Sequence, residues 1–318
     1  MDSQRIFQRI GAGFCGTVWA LMPSNNMLED DAFKREDGGP GRSLQKEFKM
    51  HGIIQNAIEQ YGKATPISIP RCHQFIDPDD AWWGAGNLEK FPDGYSPCNI
   101  IRSDRIPPVG QPTRELLIEK FCPPPLISEL KASEVNKDCL IRPYLGRCRF
   151  SSRPKSNFVA FSLRNFPLHL DQMYELEVPP TDLLNYAVLM AETLAILHWL
   201  GKTDANDIEF VLAPPRNDQK SAIISNCLGE HTIWILDFDC CNVISLDREG
   251  VDQAVRAFIK NDPFYPRPTS SPDLWVAFRR KYIETSNEVL KGAGDMALRQ
   301  LPIHFINGVE AALQVSSA

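Results

Sequence analysis

"LHWLGKTDANDIEFVL", residues 197–212, and "IWILDFDCC", residues 233–241, decide how this chain is read. The first leaves an apolar run, crosses a polar loop holding Asp204, Asp207 and Glu209, and re-enters apolar sequence, the pattern of helix, loop and strand. The second reads as a buried strand interrupted by Asp237 and Asp239.

Upstream of the first stretch, "TDLLNYAVLMAETLAILHWLGK" gives the clearest helix in the chain, with Thr181 or Asp182 as its cap and Gly201 as its stop. Apolar residues surround it, so it belongs in a core. Near the N-terminus, "RIGAGFCGTVWA" at 9–20 sets Gly11, Gly13 and Gly16 between alternating segments, which predicts strand, tight turn, strand. "DAFKRED" at 31–37 predicts the next strand, with Lys34 near its end. In "SLQKEFKMHGIIQNAIEQYG", Leu44, Phe48, His51, Ile54 and Ile58 recur at helical spacing between a Ser43 cap and a Gly62 stop. Glu47 lies on that helix, within reach of Lys34.

Residues 77–112 are rich in Pro, Asp and Gly and are expected to form an insertion or long loop beside a sheet. "RELLIEKFCPPPL" at 114–126 reads as an apolar strand running into prolines, which puts a boundary near residue 125. The tail, from "GVDQAVRAFIKND" onward, predicts helices separated by "PFYPRPTSSPD". The expectation is an α+β chain of two lobes: residues 1–125, mainly β with one helix, and residues 126–318, mainly helical.

At 318 residues with 43% hydrophobic residues, the chain can bury a real core. A formal net charge of -6 argues against a protein that coats nucleic acid non-specifically, and no DNA partner is expected. One segment departs from that balance: "RPYLGRCRFSSRPK" carries Arg142, Arg147, Arg149, Arg153 and Lys155 without an acidic residue, and Arg164 and Arg279 to Lys281 could extend it. The nine cysteines form no CxxC pair, and no histidines stand at metal-ligand spacing, so no metal is expected. The N-terminus lacks an apolar signal core, and the longest apolar run is short and contains Glu192; these point to a cytoplasmic protein with no membrane partner. His198 reads as a core histidine, and Cys240 and Cys241 as buried strand cysteines, which are usually inert.

The order of these pieces resembles the protein-kinase-like and aminoglycoside-phosphotransferase-like fold. A buried helix precedes Asp204 in the slot of the catalytic aspartate, and Asp237 stands where a metal-binding aspartate would be. The resemblance weakens at the chemistry. Glu209 replaces the metal-binding asparagine, Asp239 replaces a glycine, and Asp207 is additional, so up to five carboxylates would repel the phosphates of ATP.

"TDANDIEFVLAP", "IWILDFDCCNVI" and "DPFYPRP" resemble, across nearly the whole chain, a fungal family of unknown function named as zinc-finger-protein-like. Some members are arginine-containing cyclodipeptide synthases, which join arginyl-tRNA to a second aminoacyl-tRNA and release cyclo(Arg-Xaa). The resemblance implies Asp204, Asp207 and Glu209 as catalytic residues, Asp237, Asp239, Lys34 and Glu47 as substrate-binding residues, and the basic 142–155 segment as the tRNA contact. It implies no cofactor, since the aminoacyl ester is already activated. Carboxylates suit a guanidinium and an α-amine, which they hold by charge-assisted hydrogen bonds. An ATP- and magnesium-dependent phosphotransferase and a non-catalytic pseudokinase-like binding protein are the alternatives.

Overall fold

The computed structural model describes residues 6–21, 31–62, 67–149, 161–216, 222–292 and 296–315. The chain divides into two compact units, one of Met1–Gly52 with Pro70–Ile106 and one of Ile53–Ile69 with Pro107–Ala318.

The first unit is built on an antiparallel sheet of β1 (Phe7–Ala12), β2 (Thr17–Leu21), β3 (Asp31–Arg35), β4 (Cys72–Ile76) and β5 (Ile100–Asp104), in the order β1-β2-β3-β5-β4. Helix α1 (Leu44–Tyr61) starts in this unit, and the unit boundary falls within it. Successive strand residues face opposite sides. On β5, Ile100 therefore joins Phe7, Trp19, Phe33, Ile76, Trp83 and Phe91, while Ile101 joins Cys15 and Leu44. Both faces of the sheet are covered. Phe7 stacks on Phe91 at 4.2 Å, and burial of each such ring contributes about 1.5–3 kcal/mol.

The expected insertion at 77–112 is corrected here, because β5 lies inside it and pairs with both β3 and β4. Five residues that bury both faces give no alternation, and the surrounding Pro, Asp and Gly obscured them.

The second unit opens with α2 (Gln111–Phe121) and α3 (Ile127–Ala132). The strand expected at 114–126 is thus a helix. Pro112 sits in its first turn, where the missing N–H is no loss, and Thr113, Leu117 and Ile118 form one buried face. A second five-stranded sheet follows, made of β6 (Ile141–Tyr144), β7 (Phe166–His169), β8 (Glu209–Ala213), β9 (Ile224–Asn226) and β10 (Gly229–Leu236), in the order β7-β6-β8-β10-β9. Only β6 and β7 are parallel among these pairs. Pro143 and Pro167 interrupt these two strands, which is why their sequence does not read as sheet.

The remaining helices are α4 (Leu170–Glu175), α5 (Pro180–Trp199), α6 (Arg248–Lys260), α7 (Pro272–Val289) and α8 (Leu301–Val315). Helix α5 is the core helix the sequence predicts. Trp199 Nε1 donates to Ser286 Oγ of α7 at 2.7 Å, and His198 shares a hydrogen bond with Tyr282 at 2.8 Å. Its start differs from expectation: Pro180 occupies the first turn with no side-chain cap, and Asp182 instead accepts from Asn226 Nδ2 at 2.8 Å. The architecture is mixed α+β with two sheets. Among the described residues, no helix is long and apolar enough to cross a membrane.

Candidate functional site

Strands β8 and β10 are antiparallel, with Glu209 opposite Leu236. The segment entering β8 and the segment leaving β10 therefore emerge at one end of the second sheet. Thr203 and Val243 form an isolated antiparallel bridge beyond that end, and Asp204 N donates to Asn242 O at 2.9 Å. Two loops, 202–208 and 237–242, are stitched face to face.

Asp204 is the centre of the stitching. Its carboxylate is only 4% exposed, so it needs hydrogen bonds to offset lost hydration. Oδ1 accepts from Asn206 N at 3.1 Å and Asn242 N at 2.8 Å; Oδ2 accepts from Asn242 Nδ2 at 3.2 Å and Gln253 Nε2 at 2.8 Å. Four acceptances fill a carboxylate's capacity. The amides of Asn206 and Asn242 both donate to Cys240 O, and the buried Cys241 thiol donates to Asn206 O. Asn261, just past α6, accepts from Asp207 N and donates to Ala205 O.

This network holds an unusual backbone. Lys202, Ala205, Asp207 and Asp237 have φ of 50°, 49°, 64° and 66°, four of the six non-glycine residues with positive φ among the described residues. Each such residue costs on the order of 1 kcal/mol and persists only where its surroundings fix it. Asn242, Gln253 and Asn261 do the fixing. Sequence reading missed them because no motif marks a clamping amide.

Asp207 is exposed, Asp239 is buried, and Cys240 is half-buried. One ligand atom from each lies within 4.8 Å of the others. Asp237 is half-buried at the start of the second loop. Glu209 is engaged with Arg142, whose guanidinium grips both carboxylate oxygens across β6 and β8. Burial opposes the charge on Arg142, but Glu209, Tyr144 and Asp262 outweigh it and hold its pKa above the ordinary arginine value. Two residues given separate tasks in the sequence are thus partners.

In the rest of the basic segment, Arg147 lies over the Tyr144 ring at 5.5 Å and bonds His169 Nε2 at 3.3 Å. Arg149 is paired with Asp171 and Glu175, so its charge is largely cancelled. Arg153 and Lys155 lie outside the described residues. Arg279 and Lys281 of α7 pair with Glu310 and Glu192.

In the first unit, Lys34 Nζ donates to both oxygens of the buried Glu47 at 2.8 Å. The glycine loop has a steric cause of its own. A Cβ on Gly16 would lie 1.9 Å from Arg35 O, and one on Gly38 would lie 2.3 Å from Phe14 O, so two turns touch backbone to backbone. Around Gly13 there is open space.

The family described as "Zinc finger protein" matches residues 233–294, a minor part of the chain that runs from β10 through α7. No curated protein matches the chain. The matched stretch contains Cys240 and Cys241 and no histidine, and the only other donors near Cys240 in the group above are two carboxylates. That set does not fit a zinc finger, which takes four thiolate or imidazole ligands. Asp207 and Asp239 are oxygen donors of the kind that magnesium takes.

Proposed function

We propose that this chain is an arginine-containing cyclodipeptide synthase that condenses arginyl-tRNA with a second aminoacyl-tRNA, on a two-lobed, kinase-like scaffold. The observation that carries the reading is the acidic end of the β8–β10 pair. Asp207, Asp237 and Asp239, in two loops whose strained backbone a filled hydrogen-bond network holds, and Glu209, the first residue of β8, gather at one sheet end. Such a wall suits a guanidinium and an α-ammonium, and it opposes a polyanionic nucleotide.

In this reading Asp207 and Asp239 orient the α-amine of one aminoacyl ester and take its proton as it attacks the ester carbonyl of the other, whose ribose oxygen leaves with a proton; attack of the remaining α-amine on the dipeptidyl ester closes the ring and releases the second ribose oxygen, again with a proton. Asp204 shapes the loop. The ester supplies the driving force, so the site contributes position and proton transfer. Arg147 is the described member of the basic segment with no carboxylate paired to it among the described residues, and it is the first candidate for an RNA phosphate. The partial match to the family described as "Zinc finger protein" agrees with the resemblance from which the substrate class comes.

The test is expression of this gene alone in a host with ordinary tRNA pools, followed by mass spectrometry for cyclo(Arg-Xaa). A cell-free reaction supplied with charged tRNAs should lose product on RNase treatment and need no ATP. Product that survives RNase sinks the proposal.

A second reading is favoured by the Lys34–Glu47 pair, which has the form of the phosphate-binding lysine and helix glutamate of protein kinases. Magnesium-dependent thermal stabilisation by a nucleotide would support it.

A further inference from the structure

We propose that Glu209 and Arg142 form a guanidinium-exchange site: Glu209 receives the guanidinium of an arginyl ligand in place of the one that Arg142 lends it. The inference rests on the synthase reading for the ligand's source and on the geometry for its chemistry. In the internal pair one terminal nitrogen, Arg142 Nη2, donates to both oxygens of one carboxylate, a contact that the guanidinium of an arginyl side chain can also make. Glu209 is therefore already the seat of a guanidinium nitrogen.

Two observations favour exchange over a fixed strut. The side chains are 18% and 16% exposed, so the pair is not sealed from solvent. Arg142 Nε is buried and has no hydrogen-bond partner, an orphan donor that offsets part of what the pair gains. A ligand guanidinium entering from solvent need not strand a donor. The position fits as well, since Glu209 opens β8 two residues after Asp207 and lies opposite Leu236, the residue before Asp237. An arginyl group held there has further carboxylates beside it for its α-ammonium.

The competing account is that the pair only ties β6 to β8, whose backbone pairing is limited to Ile141 opposite Leu212. Titration of wild type, Arg142→Ala, Arg142→Met and the double variant Arg142→Met with Glu209→Gln by L-arginine amide, with L-lysine amide as control, separates the two. Exchange predicts binding at least tenfold tighter in Arg142→Ala and Arg142→Met than in wild type, selective for arginine amide and lost in the double variant. Equal affinity in all four, or a gain that survives Glu209→Gln, overturns it. If the single variants do not fold, millimolar guanidinium chloride should restore them where sodium chloride does not; failure of that rescue also overturns exchange. Tight arginine amide binding without any cyclo(Arg-Xaa) in the host would leave the exchange site standing and remove the synthase reading.

Discussion

Gln253 Nε2 reaches from α6 to donate a 2.8 Å hydrogen bond to Asp204 Oδ2, so this buried carboxylate is a structural clasp between two loops. Removing one donor and removing the acceptor should then differ in cost. Gln253→Ala should cost about 1–2 kcal/mol, the scale of one hydrogen bond to a charged group. Asp204→Ala leaves four donors without their acceptor and should cost more than about 3 kcal/mol. Asp204→Asn should also destabilise, because its new amide would face the amides of Asn242 and Gln253. Urea denaturation measures all three, and wild-type stability in Asp204→Asn would remove the clasp.

The glycines make a separable prediction. Gly16→Ala would press a methyl against Arg35 O and Gly38→Ala would press one against Phe14 O, both far inside contact distance. Each should cost at least about 2 kcal/mol through forced backbone movement. Gly13→Ala meets nothing within 4 Å and should keep wild-type stability. Thermal melts of the three variants decide whether the loop's glycines serve the fold or the approach of a ligand.

Much of this was legible in the sequence. The period of Leu44, His51, Ile54 and Ile58 marked α1, and the apolar run before Gly201 marked α5, because long periodic segments carry their own signal. Carboxylates at Asp207, Asp237 and Asp239 were legible as flanks of apolar strands. What was hidden depends on distant partners. No local pattern tells that Ile100 and Ile101 face opposite cores, that Glu209 is held by Arg142, or that Gln253 and Asn261 fasten a loop some fifty residues earlier.

Two of the buried histidines, His51 and His198, weaken the fold as pH falls. Burial holds His51 neutral, with its pKa lowered to about 4; the hydrogen bond to Pro70 O works the other way, and the Lys34 charge adds to the lowering. Burial alone lowers His198 to about 3. In both, the unfolded chain binds a proton near pH 6.5 that the folded chain refuses, so the stability is present above that pH and is lost as pH falls through the folded values. For His51 the interval corresponds to about 3 kcal/mol. His51→Gln can keep a donor to Pro70 O without titrating. Its stability should fall less steeply than wild type between pH 6.5 and 4.5 in urea titrations, and parallel slopes would show that His51 takes up its proton freely.

Lys34 is where the two enzyme readings part. A phosphotransferase needs its ammonium on the nucleotide phosphates, whereas a synthase that works from charged tRNA does not. Lys34→Met alone is a poor test, because it strands the buried Glu47 carboxylate, and breaking a buried pair from one side costs about 3–5 kcal/mol. Lys34→Met with Glu47→Gln removes both charges and should restore most of that loss. If the acidic end of β8 and β10 does the chemistry, the double variant should retain at least half of the wild-type yield of cyclo(Arg-Xaa) at matched soluble expression. Loss of product in a variant that melts like wild type, together with magnesium-dependent stabilisation of the wild type by ATP, would assign Lys34 to phosphate and the chain to phosphoryl transfer.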